Sequence, residues 1–337
     1  MYHIFLKIRA IKKYLQIWCV IITKFKKDLQ DSVSAVNIAI NKVGIVGLEK
    51  KVDIVQDNKR ISFYPKISAL ISLPADQRGI HMSRTSETIE EVINEVIFKP
   101  TPTIELVADR IIKKLLTRHP YTSQAEVKLE GKIVVQARDK GERTIQKSYD
   151  ISSFVNVKKD ANGETDYNYF IGASAVGMTV CPCAKEMSQE YAEDIIKTRK
   201  DINISGEDLK KLLNILPFSS HNQRSVGSII VQIKDLEDHK VDVFDIIDVI
   251  EESMSGRIQS VLKRPEEAEL VRSAHLKPLF SEDVIREMVK NFMIKGFSNL
   301  EDNFKITFKI ESFESIHPHN VYAELKTTVG ELKKSVK

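Results

Sequence analysis

The spacing of apolar residues changes along the chain and predicts a protein that mixes strands and helices. From about residue 34, "AVNIAI" alternates apolar and polar positions, and "VGIVGLEKKVDIV" follows as a second strand region. Apolar residues then recur three and four positions apart, which predicts a helix that ends near residue 99 and a second helix over about 103–116. "AEVKLEGKIVVQA" and "TIQKSYDISSFVNV" predict two strands that close this half.

The same order recurs after the turn-forming segment "KKDANGETD". "YNYFIGASAVGMTV" and "SVGSIIVQI" predict two strands, followed by helices over about 242–262 and 282–295 and by the strands "FKITFKI" and "VYAELKTTV". A polar, helix-prone insert at about 184–216 separates the first two of these strands. Two successive β-β-α-α-β-β units predict an α+β protein with a duplicated module, the first over 31–160 and the second over 161–337.

The first 27 residues differ from the rest of the chain in charge. They hold seven basic residues and no acid, whereas the whole 337-residue chain has a net charge of +4. The remainder is therefore slightly acidic, which argues against a nucleic-acid partner. The apolar run "YLQIWCVIIT" is shorter than the roughly 20 residues that span a bilayer. We expect residues 1–30 to be a dispensable extension or an over-long gene start, with an amphipathic interaction helix or a membrane surface anchor as alternatives.

The cysteines do not indicate a disulfide framework. There are three, one of them Cys19 in the basic extension, so we expect a cytoplasmic protein. Cys181 and Cys183 flank a proline, and a ring this tight strains a disulfide. The spacing is also not the Cys-x-x-Cys of redox centres or zinc knuckles. Two interpretations remain: packed free thiols, or a thiolate at a strand end that supplies one ligand to a metal.

Three further polar clusters have both an ordinary and a chemical interpretation. "SSHNQRSV" places His221 in a polar turn, and "SIHPHNVYAE" places His317 and His319 on one side of an extended segment. "LKRPEEAELV" puts Glu267 in a charge run just past a predicted helix end. Solvated loops and a solvated face are the ordinary interpretations. One Cys, one His and one Glu would instead leave a coordination position open for water, as at catalytic divalent metals.

Taken together, six segments in this order resemble the type IB GTP cyclohydrolases. They are "DQRGIHMSR" (76–84), "CPCAKE" (181–186), "HNQRS" (221–225), "LKRPEE" (262–267), "FSED" (280–283) and "ESIHPHNVYAE" (314–324). The resemblance covers about residues 30 to 330. It implies the tunnelling fold with two tandem β-β-α-α-β-β modules. It also implies a homo-oligomer, dimer or tetramer, with active sites between subunits.

The resemblance also implies roles for particular residues. It places a divalent metal on Cys181, His221 and Glu267, with Fe(II) favoured and Zn(II) or Mn(II) as alternatives. Glu282 is expected to anchor the guanine edge of the substrate GTP. His317 and His319 are expected at the acid/base step, with His317 also a candidate ligand. The expected triphosphate contacts are basic residues from several segments: His81, Arg84, Arg224, Lys263 and Arg264.

The implied reaction is hydrolytic opening of the guanine imidazole ring at C8, with release of formate and formation of a 7,8-dihydroneopterin phosphate. It would be the first step in making a pterin cofactor of the methanopterin or folate type. Bacterial-type members place the Cys-Pro-Cys and His-Asn-Gln-Arg motifs much closer together than here, where Cys181 and His221 lie 40 positions apart. This insert resembles the archaeal branch and favours a 2',3'-cyclic phosphate product over a triphosphate.

Three alternatives to this function remain. The nearest is another tunnelling-fold enzyme acting on a pterin or purine-like substrate, which would release no formate from GTP. A non-catalytic metal- or nucleotide-binding protein would keep the metal but show no turnover. A membrane-associated protein would change its fractionation when residues 1–28 are deleted.

Overall fold

The computed structural model describes residues 29–56, 59–99, 101–139, 141–234, 236 and 241–336. Cys19 and nearly all of the expected N-terminal extension therefore lie outside the described residues. In the described part of the chain, no helix combines the length and the apolar character needed to cross a membrane.

Strands and helices follow one another through both halves of the described chain. The first half comprises β1 (Ile40–Glu49), β2 (Val52–Gln56), β3 (Lys59–Leu73), α1 (Met82–Phe98), α2 (Ile104–Arg118), β4 (Gln124–Arg138) and β5 (Thr144–Lys159). The second half comprises β6 (Thr165–Val180), α3 (Pro182–Thr198), α4 (Gly206–Ile215), β7 (Asn222–Ile233), α5 (Val243–Glu252), β8 (Gly256–Arg257), α6 (Arg264–Leu276), α7 (Ser281–Ile294), a short 3-10 helix (Phe297–Asn299), β9 (Lys305–Ser312), β10 (Val321–Thr328) and α8 (Val329–Ser335).

The described strands form one antiparallel sheet with a single buried face. Their order is β1-β3-β4-β5-β6-β7-β9-β10, with β2 beside β3 and β8 beside β6. Side chains alternate between the two faces of a strand, and the register keeps buried residues opposite one another. Val127 of β4 pairs with Val155 of β5, and Ile229 of β7 pairs with Phe308 of β9. The apolar positions of both halves therefore lie on the same face.

Helices from both halves cover this face. Ile89 of α1 and Ile111 of α2 are fully buried, as are Ile246 of α5 and Met288 of α7. These side chains belong to one hydrophobic cluster that includes the inward residues of the sheet. Burial of a large aliphatic side chain stabilises a fold by about 1.5–3 kcal/mol, so this continuous core holds the two halves together.

The structure contradicts the predicted fold class, a tunnelling fold of two tandem β-β-α-α-β-β modules. The described chain is one large antiparallel sheet with helices. β5 and β6 pair from Asp150–Ser174 to Lys159–Thr165, so the main-chain hydrogen bonds of the sheet continue across the expected module boundary. The second half also departs from the simple order, because it adds α3, α4 and β8. The division at residue 160 itself stays a prediction.

Three local expectations also differ from the structure. The first strand begins at Ile40 rather than near residue 34. The helix expected over 242–262 ends at Glu252, since the chain turns at Ser253 and pairs as β8. The charge run "LKRPEE" does not follow a helix end but opens α6, with Pro265 in the first turn, where its missing N–H is tolerated.

The segment expected to form a helix-prone insert contains α3 and α4. α3 has no buried side chain, and Tyr191 on it is 70% exposed. α4 begins with the Ser205 hydroxyl accepting a hydrogen bond from the Asp208 N–H at 3.1 Å. Leu209 and Leu213 are its buried residues. The insert thus leaves the sheet at the end of β6 and returns at the start of β7.

Candidate active site

The sheet brings Cys181 and His221 together although they lie far apart in sequence. Val180 at the end of β6 pairs with Asn222 at the start of β7. One residue beyond this pair, the Cys181 N–H donates to the His221 carbonyl at 3.1 Å. The Ser220 hydroxyl donates to the Cys181 carbonyl at 2.6 Å. Two of the expected metal ligands therefore stand on adjacent strand ends.

At this end of the sheet, polar residues occupy the core-facing positions that are apolar elsewhere along the strands. Thr179, Ser225 and Ser312 are buried and lie on neighbouring strands, where Ser225 pairs directly with Ser312. Gln223 lies opposite Thr179 in the register of β6 and β7. Because residues two apart share a face, the core-facing rows of β6, β7 and β9 end in hydrogen-bonding groups.

The hydroxyl groups form a buried chain that crosses three strands and reaches α7. Thr179 Oγ1 lies 2.8 Å from Ser225 Oγ, and Ser225 Oγ lies 2.8 Å from Ser312 Oγ. Ser312 Oγ lies 3.0 Å from Ser281 Oγ. Ser281 is the first residue of α7 and precedes Glu282, the expected guanine anchor. These hydrogen-bonded hydroxyl groups therefore connect the strand end beside the expected metal ligands to the helix that carries Glu282.

The imidazole of His221 joins this chain through Gln223. Nδ1 of His221 lies 3.1 Å from Gln223 Oε1. Gln223 Nε2 donates to Thr179 Oγ1 at 3.1 Å and to Glu314 Oε1 at 3.2 Å. The other carboxylate oxygen of Glu314 lies 3.7 Å from Nδ1. The protein thus engages one ring nitrogen of His221, and Nε2 takes no part in these bonds.

Glu267 borders a cavity of about 570 Å³ between α6 and the segment that leads into β7. Arg264 and His275 line the α6 side, and Ser219, two residues before His221, lines the other. His275 Nε2 lies 3.4 Å from the Ser220 carbonyl oxygen. The third expected ligand is therefore exposed on the wall of a cavity that adjoins the strand end of Cys181 and His221.

A turn from the first half fixes the start of α6. Arg143, in the turn between β4 and β5, donates from Nη2 to Glu266 Oε2 at 2.9 Å and from Nε to Asp139 Oδ2 at 2.6 Å. The Lys263 backbone N–H donates to the same Glu266 oxygen at 2.7 Å. The hydrogen bond from the Lys263 N–H is the main cause that holds the pKa of Glu266 below its usual range, and the Arg143 guanidinium is the second cause. These bonds orient the helix turn that carries Glu267.

His317 and His319 lie in the exposed loop between β9 and β10. Their rings are stacked, with centroids 5.1 Å apart and planes at 12°. The loop is attached to β7, since the Phe313 N–H donates to the Arg224 carbonyl at 2.9 Å. Arg224 itself has an exposed side chain. The histidine pair therefore shares with Glu314 the loop that follows β9.

The expected triphosphate contacts lie in three different places, one of which is the start of β7, where Arg224 is exposed. Lys263 and Arg264 are exposed at the start of α6. His81 and Arg84 belong to the first half, where Arg84 is exposed on α1. His81 is buried, and its Nε2 lies 2.9 Å from Asp31 Oδ1. His81 is thus placed as a partner of Asp31, and the triphosphate role of all these residues stays a prediction.

The residues expected to bind the metal carry donor atoms of suitable types. Within the ranges that the structure describes, no group of three or more His, Cys, Asp or Glu side chains is arranged to hold an ion. Cys181 is nevertheless a half-buried free thiol on the residue whose N–H bonds the His221 carbonyl. Sulfur, nitrogen and carboxylate oxygen suit divalent first-row metals. Ligation by Cys181, His221 and Glu267 therefore stays a prediction that the donor chemistry supports.

Sequence reasoning missed the residues that support His221. Gln223, Ser225 and Glu314 lie within two of the six motifs, but the motifs predict no role for them, and no site prediction concerns Thr179 or Ser312. A signal was present, since each hydroxyl residue sits where the alternation of its strand calls for an apolar side chain. That signal indicates burial but does not say which other strand supplies the partner.

With this geometry established, comparison with known proteins identifies the family. A family model described as type I GTP cyclohydrolase folE2 matches residues 27–323. The chain belongs to this family. The match spans most of the chain and confirms the resemblance that the six motifs indicated, and with it the predicted enzyme class, a GTP cyclohydrolase of pterin biosynthesis.

Curated GTP cyclohydrolases from archaea are similar over nearly their whole length. The GTP cyclohydrolase MptA of Methanosphaera stadtmanae is 35% identical over 312 residues, covering 92% of this chain and 97% of that protein. The GTP cyclohydrolase MptA of Methanocaldococcus jannaschii is 34% identical over 314 residues, with 92% and 97% covered.

Comparison with solved structures finds matches that include a uricase and a urate oxidase. Uricase from Arthrobacter globiformis has a TM-score of 0.47 and 8% identity, covering 86% of this chain and 93% of that chain. Urate oxidase from Bacillus sp. TB-90 has a TM-score of 0.48 and 9% identity, with 86% and 100% covered. Likeness at this level carries no argument about the GTP cyclohydrolase site.

Proposed function

We propose that this GTP cyclohydrolase opens the imidazole ring of GTP at C8 and releases C8 as formate, in a metal-dependent reaction at the Cys181–His221 strand end. The observation that carries the proposal is the contact between the two motifs. The Cys-Pro-Cys and His-Asn-Gln-Arg segments are separated by the whole insert, yet Cys181 and His221 share a main-chain hydrogen bond of 3.1 Å.

Cys181, His221 and Glu267 would hold a divalent metal, with Fe(II) favoured over Zn(II) and Mn(II). Such an ion lowers the pKa of water towards neutrality and so supplies a nucleophile for C8. Three protein ligands would leave a coordination position for that water, which is the arrangement of catalytic rather than structural sites. A thiolate ligand to ferrous iron would also make the activity sensitive to oxygen.

His317 and His319 would move protons to and from the ring nitrogens of the opening guanine. Imidazole is suited to this work because its ordinary pKa lies near neutrality. The stacked pair is exposed in a loop attached to the start of β7. A substrate on the strand end of His221 would therefore face a loop that can supply a proton donor.

Glu282 would accept hydrogen bonds from the guanine N–H groups. A carboxylate selects guanine because adenine lacks the matching pair of donors, which leaves the acceptor unpaired. Its side chain is exposed in the first turn of α7, next to the buried Ser281 hydroxyl. Basic side chains, Arg264 among them, would hold the triphosphate through charge-assisted hydrogen bonds.

The product favoured is a 7,8-dihydroneopterin 2',3'-cyclic phosphate, whose formation from GTP would release the other two phosphates as diphosphate, and the triphosphate is second. The support is the insert formed by α3 and α4, together with similarity to archaeal proteins named GTP cyclohydrolase MptA. A homo-oligomer, dimer or tetramer, with sites between subunits is proposed on the same family grounds.

The decisive experiment is anaerobic incubation of the Fe(II)-loaded chain with GTP, followed by formate measurement and mass spectrometry of the pterin. We expect formate and the cyclic phosphate in equal amounts. A triphosphate product would contradict the product assignment alone, whereas no formate with Fe(II), Zn(II) or Mn(II) would contradict the function. ATP in place of GTP is the matched control and should give no formate.

A further inference from the structure

We propose that Gln223 is a positioning residue that holds His221 in the tautomer with hydrogen on Nδ1, so that Nε2 presents its lone pair. This inference rests on the proposed metal site, because it explains how one of its expected ligands is oriented. It concerns the chain's own hydrogen bonds, however, and can be tested without turnover.

The environment of Gln223 decides which way its amide points. A carboxylate oxygen can only accept a hydrogen bond, and an amide NH₂ can only donate. Glu314 Oε1 lies 3.2 Å from one end of the amide, so that end must be the nitrogen. A flipped amide would place its oxygen against the carboxylate, and both atoms would be acceptors. Thr179 Oγ1 at 3.1 Å accepts the second N–H.

The orientation of the amide in turn decides the proton position on His221. Gln223 Oε1 faces Nδ1 at 3.1 Å, and an amide oxygen can only accept. Nδ1 must therefore carry the hydrogen. In a neutral imidazole the other nitrogen then has the lone pair, which is the atom that can bind a metal. Partners of this kind orient ligating histidines in many metal sites, and their loss typically weakens metal binding by about 10–100-fold.

The hydroxyl chain behind Gln223 makes this arrangement rigid. Thr179 is 1% exposed and Ser225 is fully buried, so their hydroxyls cannot exchange partners with water. Leaving a buried polar group unpaired costs about 1–3 kcal/mol. A rotation of Gln223 away from His221 would break its bond to Thr179 as well. The amide is thus held from behind by the buried end of the sheet.

The test compares Gln223→Met with Gln232→Met, two substitutions on the same strand. Methionine keeps the length of the side chain and removes its polar atoms. Gln232 is also half-buried and donates to Asn168 Oδ1 at 2.8 Å, but it lies at the opposite end of β7. We expect Zn²⁺ affinity, measured by competition with a chromophoric chelator, to fall about 10–100-fold in Gln223→Met. Gln232→Met should bind Zn²⁺ as the unmodified chain does.

A second readout reports the tautomer directly. In the metal-free chain labelled with ¹⁵N-histidine, His221 should show the pattern of a neutral ring protonated at Nδ1, with the signal assigned by its loss in His221→Ala. Gln223→Met should shift the ring towards the Nε2–H form, and Gln232→Met should not. If Gln223→Met does not fold, the tautomer of the unmodified chain still decides, because an Nε2–H ring there overturns the proposal.

Equal Zn²⁺ affinity in both methionine variants would also overturn it. Failure of the proposed function has a different signature. A chain that shows the Nδ1–H ring and Gln223-dependent Zn²⁺ binding but releases no formate would disprove GTP hydrolysis and leave the positioning role intact. Formate release by a chain with an Nε2–H ring would support GTP hydrolysis and disprove the positioning role of Gln223.

Discussion

Two histidine clusters, one in each half of the molecule, differ in how many ring nitrogens the protein uses. His119, in the first half, is fully buried, with Nε2 3.2 Å from Thr85 Oγ1 and Nδ1 2.8 Å from the Tyr121 hydroxyl. His221, in the second half, has a side chain that is 15% exposed, and Gln223 engages its Nδ1. Both ring nitrogens of His119 have a protein partner, whereas the contact of Gln223 engages Nδ1 of His221 and orients the ring.

The electrostatic surroundings of His119 agree with a purely structural role. Burial is the main cause that lowers its pKa to about 4, and the charges of Arg84, His81 and Arg118 add to it. His119 is therefore neutral at physiological pH. Burial and hydrogen bonding therefore do not by themselves mark a functional histidine. A histidine that binds a ligand also needs one ring nitrogen that its neighbours leave for that ligand.

The largest expected effect separates the two histidines by function. His221→Ala and Cys181→Ala should each abolish formate release, by about 10³-fold or more, and should lower bound metal, because each removes an expected ligand. His119→Leu should retain the activity. Formate release and metal content of the purified variants are the measurements. Full activity of metal-stripped Cys181→Ala would contradict the assignment.

The next effect concerns how His119 makes the stability of the chain depend on pH. Because the folded pKa of His119 lies below its ordinary value of 6.5, the unfolded chain binds more protons between about pH 6.5 and pH 4. The stability that the neutral ring contributes is present above this window and is lost as pH falls through it, by about 3 kcal/mol. Urea unfolding at pH 7 and pH 4.5 should therefore show a smaller loss for His119→Leu. An identical loss in both chains would refute this account.

A smaller effect is expected at the far end of the hydroxyl chain. Glu282→Gln should lower kcat/KM for GTP by about 10²-fold, since an amide cannot accept from two guanine N–H groups as a carboxylate does. Metal content should not change. Glu287→Gln, on the same helix, is the matched control and should have little effect. Loss of metal in Glu282→Gln would instead place this residue with the ligands.

The smallest effect concerns the chain of hydroxyls itself. Ser312 is 1% exposed and contacts both Ser225 and Ser281. Ser312→Ala should reduce the free energy of unfolding by about 1–2 kcal/mol, because it removes one hydrogen-bond partner from the Ser225 hydroxyl and one from the Ser281 hydroxyl. Ser315→Ala, in the exposed loop nearby, should change it by less than about 0.5 kcal/mol. Equal urea midpoints for the two variants would show that the hydroxyl chain does not contribute.

Particular elements show how far sequence reasoning reached. The apolar spacing predicted a helix over about 103–116, and α2 runs over Ile104–Arg118. The expected 282–295 helix is α7, Ser281–Ile294. The helix expected over 242–262 was too long, because apolar periodicity does not register the turn at Ser253. The fold class was wrong, since strand spacing does not show that β5 and β6 join the halves in one sheet.

The candidate site shows the same limit. The six motifs were sufficient to predict the family, because their order is specific even where each is weak. Gln223 and Glu314 could not be assigned a role, since they lie 91 positions apart and meet only through strand pairing. His81 is expected to contact the triphosphate. The structure places its Nε2 2.9 Å from Asp31 Oδ1, and the triphosphate role stays a prediction.

The sequence by itself determined the family, the types of donor atom at the expected metal site and most of the helices and strands. These depend on residue identity and on short-range periodicity, which are local properties of a chain. Only the tertiary structure decided that Cys181 and His221 adjoin and that Gln223 faces Nδ1 of His221. The physical reason is that antiparallel pairing fixes which distant residues are neighbours, and a hydrogen bond depends on that position and on direction.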